Sequence, residues 1–127
     1  MSDPAFLTLD EVTHIHARSL AEHGGSEGVR ELGLVESALA SAKNVFYYGG
    51  GDLFDVAAAY AFHLAESQAF LDGNKRTAVA TALVFLARNG VYVQPAPWEL
   101  FTAMIDVAEK KKGKSDLAEI FRKHAQE

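Results

Sequence analysis

Apolar residues recur along this chain at three- and four-residue spacing, the period of helices that bury one face, and only short stretches break the rhythm. Thr8 followed by Glu11 matches a reciprocal N-terminal cap, after which Leu9, Val12, Ile15 and Leu20 form a stripe that stops at Gly24-Gly25. This predicts a first helix. Leu34, Val35, Ala38, Leu39 and Ala42 predict a second, ending near Lys43-Asn44. Asn44 to Gly51 then combines bulky aromatics with three consecutive glycines, which suits a mobile loop or short hairpin; this segment is the predicted flap. Asp52 is placed to cap a third helix, with Leu53, Val56, Ala57, Tyr60, Ala61 and Leu64 on a broad apolar face and an end near Ser67-Gln68.

A turn-like segment, Ala69 to Gly73, leads into a fourth helix carrying Ala78, Val79, Ala82, Leu83, Phe85 and Leu86, closed by Asn89-Gly90. Being apolar nearly all round, it is expected to be the buried centre of the bundle. Val91 to Val93 reads as extended but too short to make a sheet alone. Pro97 suits the first turn of a fifth helix with Trp98, Phe101, Met104, Ile105 and Ala108 inward, ending at Gly113. Ser115 is placed to cap a last helix with Leu117, Ile120 and Phe121 facing in. No repeat, low-complexity tract or long linker divides the chain. The expectation is an all-α, single-domain bundle of about six helices over residues 1–127 with one flap loop or hairpin.

Composition narrows the function classes. A chain of 127 residues that is 49% hydrophobic can bury a core without crosslinks, and it has no cysteine, so neither a disulfide framework nor a thiolate zinc site is possible. Residues 1 to 4 lack the basic and apolar regions of a secretion leader, and no apolar run approaches the roughly 20 residues that span a bilayer. A cytoplasmic protein that does not cross a membrane is expected. The formal net charge of −5 argues against broad nucleic-acid binding, which needs a basic face. The basic run Lys110 to Lys114 reads as a solvated helix end, where cations suit the macrodipole.

The chemistry concentrates in Phe70-Leu71-Asp72-Gly73-Asn74-Lys75-Arg76-Thr77, which puts two cations in the first turn of a helix. A helix N-terminus carries roughly half a positive charge, so Lys75 and Arg76 are disfavoured there by several tenths of a kcal/mol unless an anion joins them. Free backbone N–H groups, the Asn74 amide, Lys75 and Arg76 together form an anion cradle, with Gly73 admitting close approach. Asp72 is a hard ligand suited to Mg²⁺ bridging nucleotide phosphates, and Phe70 is an apolar anchor for the loop. The same residues also read as an ordinary Asp-Gly turn, an Asn cap and a solvated Lys-Arg pair. The pattern is not a Walker A loop. His14 and His16, two apart on a helix, point to opposite faces, so His16 reads as a satisfied, partly buried histidine rather than a metal ligand. His23 and His124 read as surface residues, Trp98 and Phe101 as core or as a groove for a partner helix, and Tyr47 and Tyr48 as partner contacts or loop packing.

The run Gln68-Ala69-Phe70-Leu71-Asp72-Gly73-Asn74-Lys75-Arg76 resembles the Fic/Doc family signature H-x-F-x-[DE]-x-N-[GK]-R, in the lysine-bearing form of the Doc (death-on-curing) toxins. Gly24-Gly25, Glu36 to Leu39, Asp52 to Phe54 and Thr77 to Gly90 extend the resemblance over roughly residues 7 to 95. It implies a Fic fold that binds ATP phosphates and Mg²⁺ at the loop between helices three and four. Asp72 would hold Mg²⁺; Gly73, Asn74, Lys75 and Arg76 would hold phosphates; Phe46, Tyr47 and Tyr48 would align the target. Doc toxins move the γ-phosphoryl group onto a threonine of elongation factor Tu and halt translation, whereas most Fic relatives transfer AMP; Lys75 in place of Gly favours the Doc activity. A Phd-like antitoxin is implied as partner. The departure is Gln68 where the motif has its general-base His. A non-catalytic nucleotide- or antitoxin-binding module is the reading from a different class.

Overall fold

Two of the helices start on caps written into the sequence. Thr8 Oγ1 accepts the Glu11 N–H at 3.2 Å while Glu11 Oε1 accepts the Thr8 N–H at 2.9 Å, and Asp52 and Asp55 repeat the exchange at 2.9 and 3.0 Å. A computed structural model describes residues 3–94 and 97–126, so the part of the leader reading that rests on Met1 and Ser2 lies outside it. Among the described residues there are six helices: α1 (Leu9–His23), α2 (Leu32–Tyr47), α3 (Leu53–Ser67), α4 (Asn74–Arg88), α5 (Pro97–Ala108) and α6 (Lys114–Lys123). None is long and apolar enough to cross a membrane.

The centre of the bundle is α3, not α4. Val56 to Ala61 and Leu64 are all buried, and the alanine run lets α2, α4 and α6 approach α3 from several sides. α4 buries Thr77, Ala78, Thr81, Ala82, Phe85 and Leu86, while Val79 and Leu83 are half-buried and Val84 is exposed. That open apolar face becomes one wall of the site.

Three boundaries differ from the expectation. α2 continues through Val45, Phe46 and Tyr47, because Val45 and Phe46 pack on the core and outweigh the glycine-rich composition; only Tyr48 to Gly51 form a turn. α5 stops at Ala108, with Lys110 at φ 63° and the Lys111 N–H returning to Asp106 O at 2.8 Å. α6 begins at Lys114 with Gly113 as its cap, Gly113 N–H donating to Asp116 Oδ2 at 2.9 Å, so Ser115 lies within the first turn.

The inward face of α5 also differs. Ala103, Met104 and Val107 are buried, whereas Trp98 and Phe101 are 69% and 68% exposed and Ala108 is exposed. With Leu100 packed on the core, positions 100, 103, 104 and 107 make the inward stripe, and the two aromatics fall off it. The extended residues Tyr92 and Val93 pair with Ala125 and Gln126 at the C-terminus. His124 is not a free surface residue: it meets Glu99 at 3.0 Å.

Candidate functional site

α1 and α3 end, and α4 begins, at the same end of the bundle, and the loop Gln68 to Gly73 joins them. Gln68 closes α3 in the left-handed region, φ 50° and ψ 44°, and is exposed. Ala69 and Phe70 turn inward, Phe70 only 2% exposed, its ring stacked on the His16 imidazole at 3.9 Å. The Asn74 amide then closes the loop on itself, its Oδ1 accepting the Phe70 N–H at 3.1 Å and its Nδ2 donating to Phe70 O at 2.9 Å. The Asn74 amide, expected in the anion cradle, has both polar atoms engaged by Phe70, and the Phe70 ring anchors the loop in the core as its apolar character suggests.

Gly73 caps α4 at φ 75° with no side-chain bond to the helix start, so the first N–H groups of α4 meet the cavity uncapped. Lys75 and Arg76, both exposed, stand in that first turn. Arg76 Nη2 reaches across to donate to Gly24 O at 3.0 Å, where the end of α1 presents carbonyls that favour a cation. The Asp72 carboxylate is held from two sides, Oδ2 accepting the Ser26 N–H at 3.2 Å and Oδ1 its neighbour Gly73 N–H at 2.8 Å. Those two amides, then Arg76 and His16, keep its pKa below the ordinary carboxylate value. Gly25 stands so close that a Cβ there would lie 2.8 Å from Asp72 Oδ2.

A cavity of about 1090 Å³ opens over Gln68, Asp72, Lys75 and Arg76. Beyond them it becomes apolar, running along Val79 and Leu83 of α4 towards Phe101 and Met104 of α5. One end is therefore built for an anion and the other for hydrophobic surface. Among the described residues no cluster of three or more His, Cys, Asp or Glu side chains could hold a metal ion on its own. A cation at Asp72 would need oxygens from a bound ligand.

The segment lying along the loop is the α1–α2 connection. Leu71 N–H donates to Gly28 O at 3.1 Å and Arg30 N–H to Ala69 O at 2.7 Å, making an antiparallel bridge between Val29 and Phe70. Arg30 Nη2 also covers Ser67 O at the end of α3, at 3.3 Å. The structure does not bring Phe46, Tyr47 and Tyr48 to the site. They lie beside the start of α3, and its 15 residues put them about 22 Å from Gln68 along the helix axis. Tyr47 OH donates to Asp3 at 2.8 Å, Phe46 packs edge-on against Phe6, and Tyr48 is 86% exposed. His16, Ser26 and Val29 were missed as site residues; the glycines at 24, 25 and 28, clustered before α2, were the available signal.

The sequence model of the Fic/DOC family matches residues 6–86, from just before α1 almost to the end of α4. The chain belongs to the Fic/DOC family. Protein kinase doc of Escherichia phage P1 is 34% identical over 115 residues, covering 90% of this chain and 90% of that protein. Toxin Doc of Mycolicibacterium smegmatis (strain ATCC 700084 / mc(2)155) is 44% identical over 87 residues, 65% of each chain. The Fic/DOC match takes in the loop, the start of α4 and the α1–α2 connection alongside them. α5, which walls the apolar end of the cavity, lies beyond residues 6–86.

Proposed function

We propose that this chain is a Doc-type toxin that moves the γ-phosphoryl group of ATP onto a threonine hydroxyl of a cytoplasmic translation factor resembling elongation factor Tu, and that Gln68 weakens this activity. The observation that carries the reading is the uncapped start of α4, with exposed Lys75 and Arg76 beside a carboxylate fixed by two amides. Membership of a family with a relative named a protein kinase supports the reaction type. Lys75, where AMP-transferring relatives carry Gly, favours phosphoryl over AMP transfer.

The donor set fits nucleotide phosphates with a hard cation: α4 amides, two cations, and one carboxylate whose low pKa keeps it ionised at neutral pH. Asp72 would hold Mg²⁺, which when bound neutralises charge developing on the phosphoryl oxygens. Lys75 and Arg76 would hold phosphates, Arg76 leaving Gly24 O to do so, while the Asn74 clasp keeps the loop in place. Val29 is bridged to Phe70 so that its own N–H and C=O point outward, which offers an extended target segment a strand edge beside Gln68. The Gln68 amide can orient a hydroxyl by hydrogen bonding but cannot take its proton. Losing a general base costs about 10²- to 10⁴-fold in rate, roughly 3 to 5.5 kcal/mol of barrier. The apolar end of the cavity, with Leu83, Leu100 and Phe101, suits an amphipathic helix such as a Phd-like antitoxin would supply.

The second reading, a binding module without catalysis, is favoured by Gln68 itself. Incubating this chain and Gln68→His with elongation factor Tu, Mg²⁺ and ATP labelled at the γ or α position separates the readings. The expected result is γ-label on the target with Gln68→His and at least about 100-fold less label with the unsubstituted chain. Transfer of α-label would establish AMP transfer, and no label from Gln68→His despite tight ATP binding would point to a different target protein or to the binding module.

A further inference from the structure

His16 lies one turn beyond Val12 on the inward face of α1 and is only 5% exposed. An apolar side chain would fill that place without the desolvation penalty of a buried imidazole, so the ring's hydrogen bond is what makes histidine tolerable there. Its Nε2 meets the backbone oxygen of Asp72 at 2.8 Å, 56 residues away in sequence. A carbonyl only accepts, so Nε2 carries the proton and donates. The same ring stacks on Phe70 at 3.9 Å, with 11° between the planes.

We infer that His16 is a positioning residue for the phosphate- and Mg²⁺-binding loop, setting where the Asp72 carboxylate points without touching ligand. The inference rests on the nucleotide-binding part of the function proposed above. The loop has two fixed points. Asn74 clasps Phe70 through both its N–H and its C=O. His16 takes the Asp72 carbonyl, which sets the plane of the peptide joining Asp72 to Gly73. That peptide's N–H is the one Asp72 Oδ1 accepts, so the same bond that orients the peptide also orients the carboxylate. Without His16, Asp72 is tied only to its neighbour's amide and to Ser26, on the exposed α1–α2 connection. Groups that hold a metal-binding carboxylate from behind typically control about 10- to 100-fold in metal affinity.

Two variants separate the hydrogen bond from packing. His16→Phe keeps a ring against Phe70 and removes the donor; His16→Gln keeps an amide donor and removes the ring. ATP affinity is measured by calorimetry with Mg²⁺ and again with EDTA, alongside melting temperature. His16→Phe is expected to lose tenfold or more of the Mg²⁺-dependent gain while its affinity in EDTA stays within about threefold, and His16→Gln to recover part of the gain. A merely structural role would lower the melting temperature and weaken both affinities together; that result, or an unchanged Mg²⁺ gain in His16→Phe, would overturn the inference.

If the native chain binds ATP under neither condition, the nucleotide reading fails, and the positioning of the loop is then decided by amide exchange. The Gly73 N–H should exchange at least tenfold faster in His16→Phe than in the native protein, and unchanged exchange sinks the idea. Should His16→Phe not fold, His16→Gln decides by the same measurement: native-like protection of Gly73 supports the donor's role, and lost protection in a folded protein refutes it.

Discussion

Gln68 is held in a backbone region that disfavours most side chains by roughly 1 kcal/mol, because Cβ crowds the following carbonyl. Glycine carries no such penalty, although its looser unfolded chain offsets part of the gain. Gln68→Gly is therefore expected to raise stability by about 0.5 kcal/mol in urea unfolding, and Gln68→His to be neutral, since histidine enters this region more readily than most residues. A loss above about 1 kcal/mol in either variant would mean that the amide makes a bond that the strain conceals. Asn74 is the opposite case, a side chain whose two polar atoms are both engaged. Asn74→Ala leaves the N–H and C=O of Phe70 unpaired beside the core and should cost about 1 to 3 kcal/mol. Asn74→Asp keeps the acceptor for the Phe70 N–H but sets a carboxylate oxygen against Phe70 O, so it too should be destabilising, and a stability loss below about 0.5 kcal/mol in both variants would show that the clasp contributes nothing. At this scale the motif was legible because its members are adjacent in the chain. The division of labour was not, since Asn74 turns inward only once Gly73 has adopted positive φ and the loop has closed.

Between elements, burial and ion pairing can be compared directly where α6 docks on α3. Phe121 is fully buried, whereas Arg122 reaches Asp52 at 3.0 Å and lies over Phe54 with its side chain 37% exposed. Phe121→Ala should cost about 3 to 5 kcal/mol, and Arg122→Ala about 1 kcal/mol or less, because solvent screens an exposed pair. Calorimetric unfolding checks the order, and a larger loss at Arg122 would reverse it. Glu11, at the far end of α1 from the site, pairs with Arg88 of α4 and caps its own helix through Thr8. The Arg88 bond, then the Thr8 amide, hold its pKa at about 2 against an ordinary 4.5. A depressed folded-state pKa stabilises fully above pH 4.5 and loses that contribution as pH falls towards 2. Stability measured from pH 6 to pH 2 should fall less steeply for Glu11→Gln than for the native chain, by on the order of 1 kcal/mol or less for a pair this exposed. Parallel curves would mean the pair contributes nothing. Caps made within one turn were readable from sequence at Thr8 and Asp52, but the end of α2 was not, because the packing of Val45 and Phe46 depends on residues far away in the chain.

Taken whole, the molecule has a charged site at one end of a cavity and unpartnered aromatic surface at the other, and the second feature is what the periodicity misread. Spacing alone allows either 98, 101, 104, 105 and 108 or 100, 103, 104 and 107 to face inward; both sets share Met104, which is buried, and the choice between the rest depends on how α5 meets α3, which no local pattern encodes. Phe101 and Val84 are both exposed and both line the cavity, so Phe101 should tolerate polar substitution while a buried neighbour should not. Phe101→Ser is expected to change stability by no more than about 0.5 kcal/mol and to lower binding of an apolar dye, whereas Met104→Ala, one turn along and 3% exposed, should cost about 2 to 5 kcal/mol. If Phe101→Ser destabilises as much as Met104→Ala, the ring is part of the core after all and the cavity has no apolar docking end. If it leaves stability intact but abolishes binding of the proposed antitoxin helix, the aromatic surface belongs to that partner, and α5 carries recognition while α3 and α4 carry chemistry.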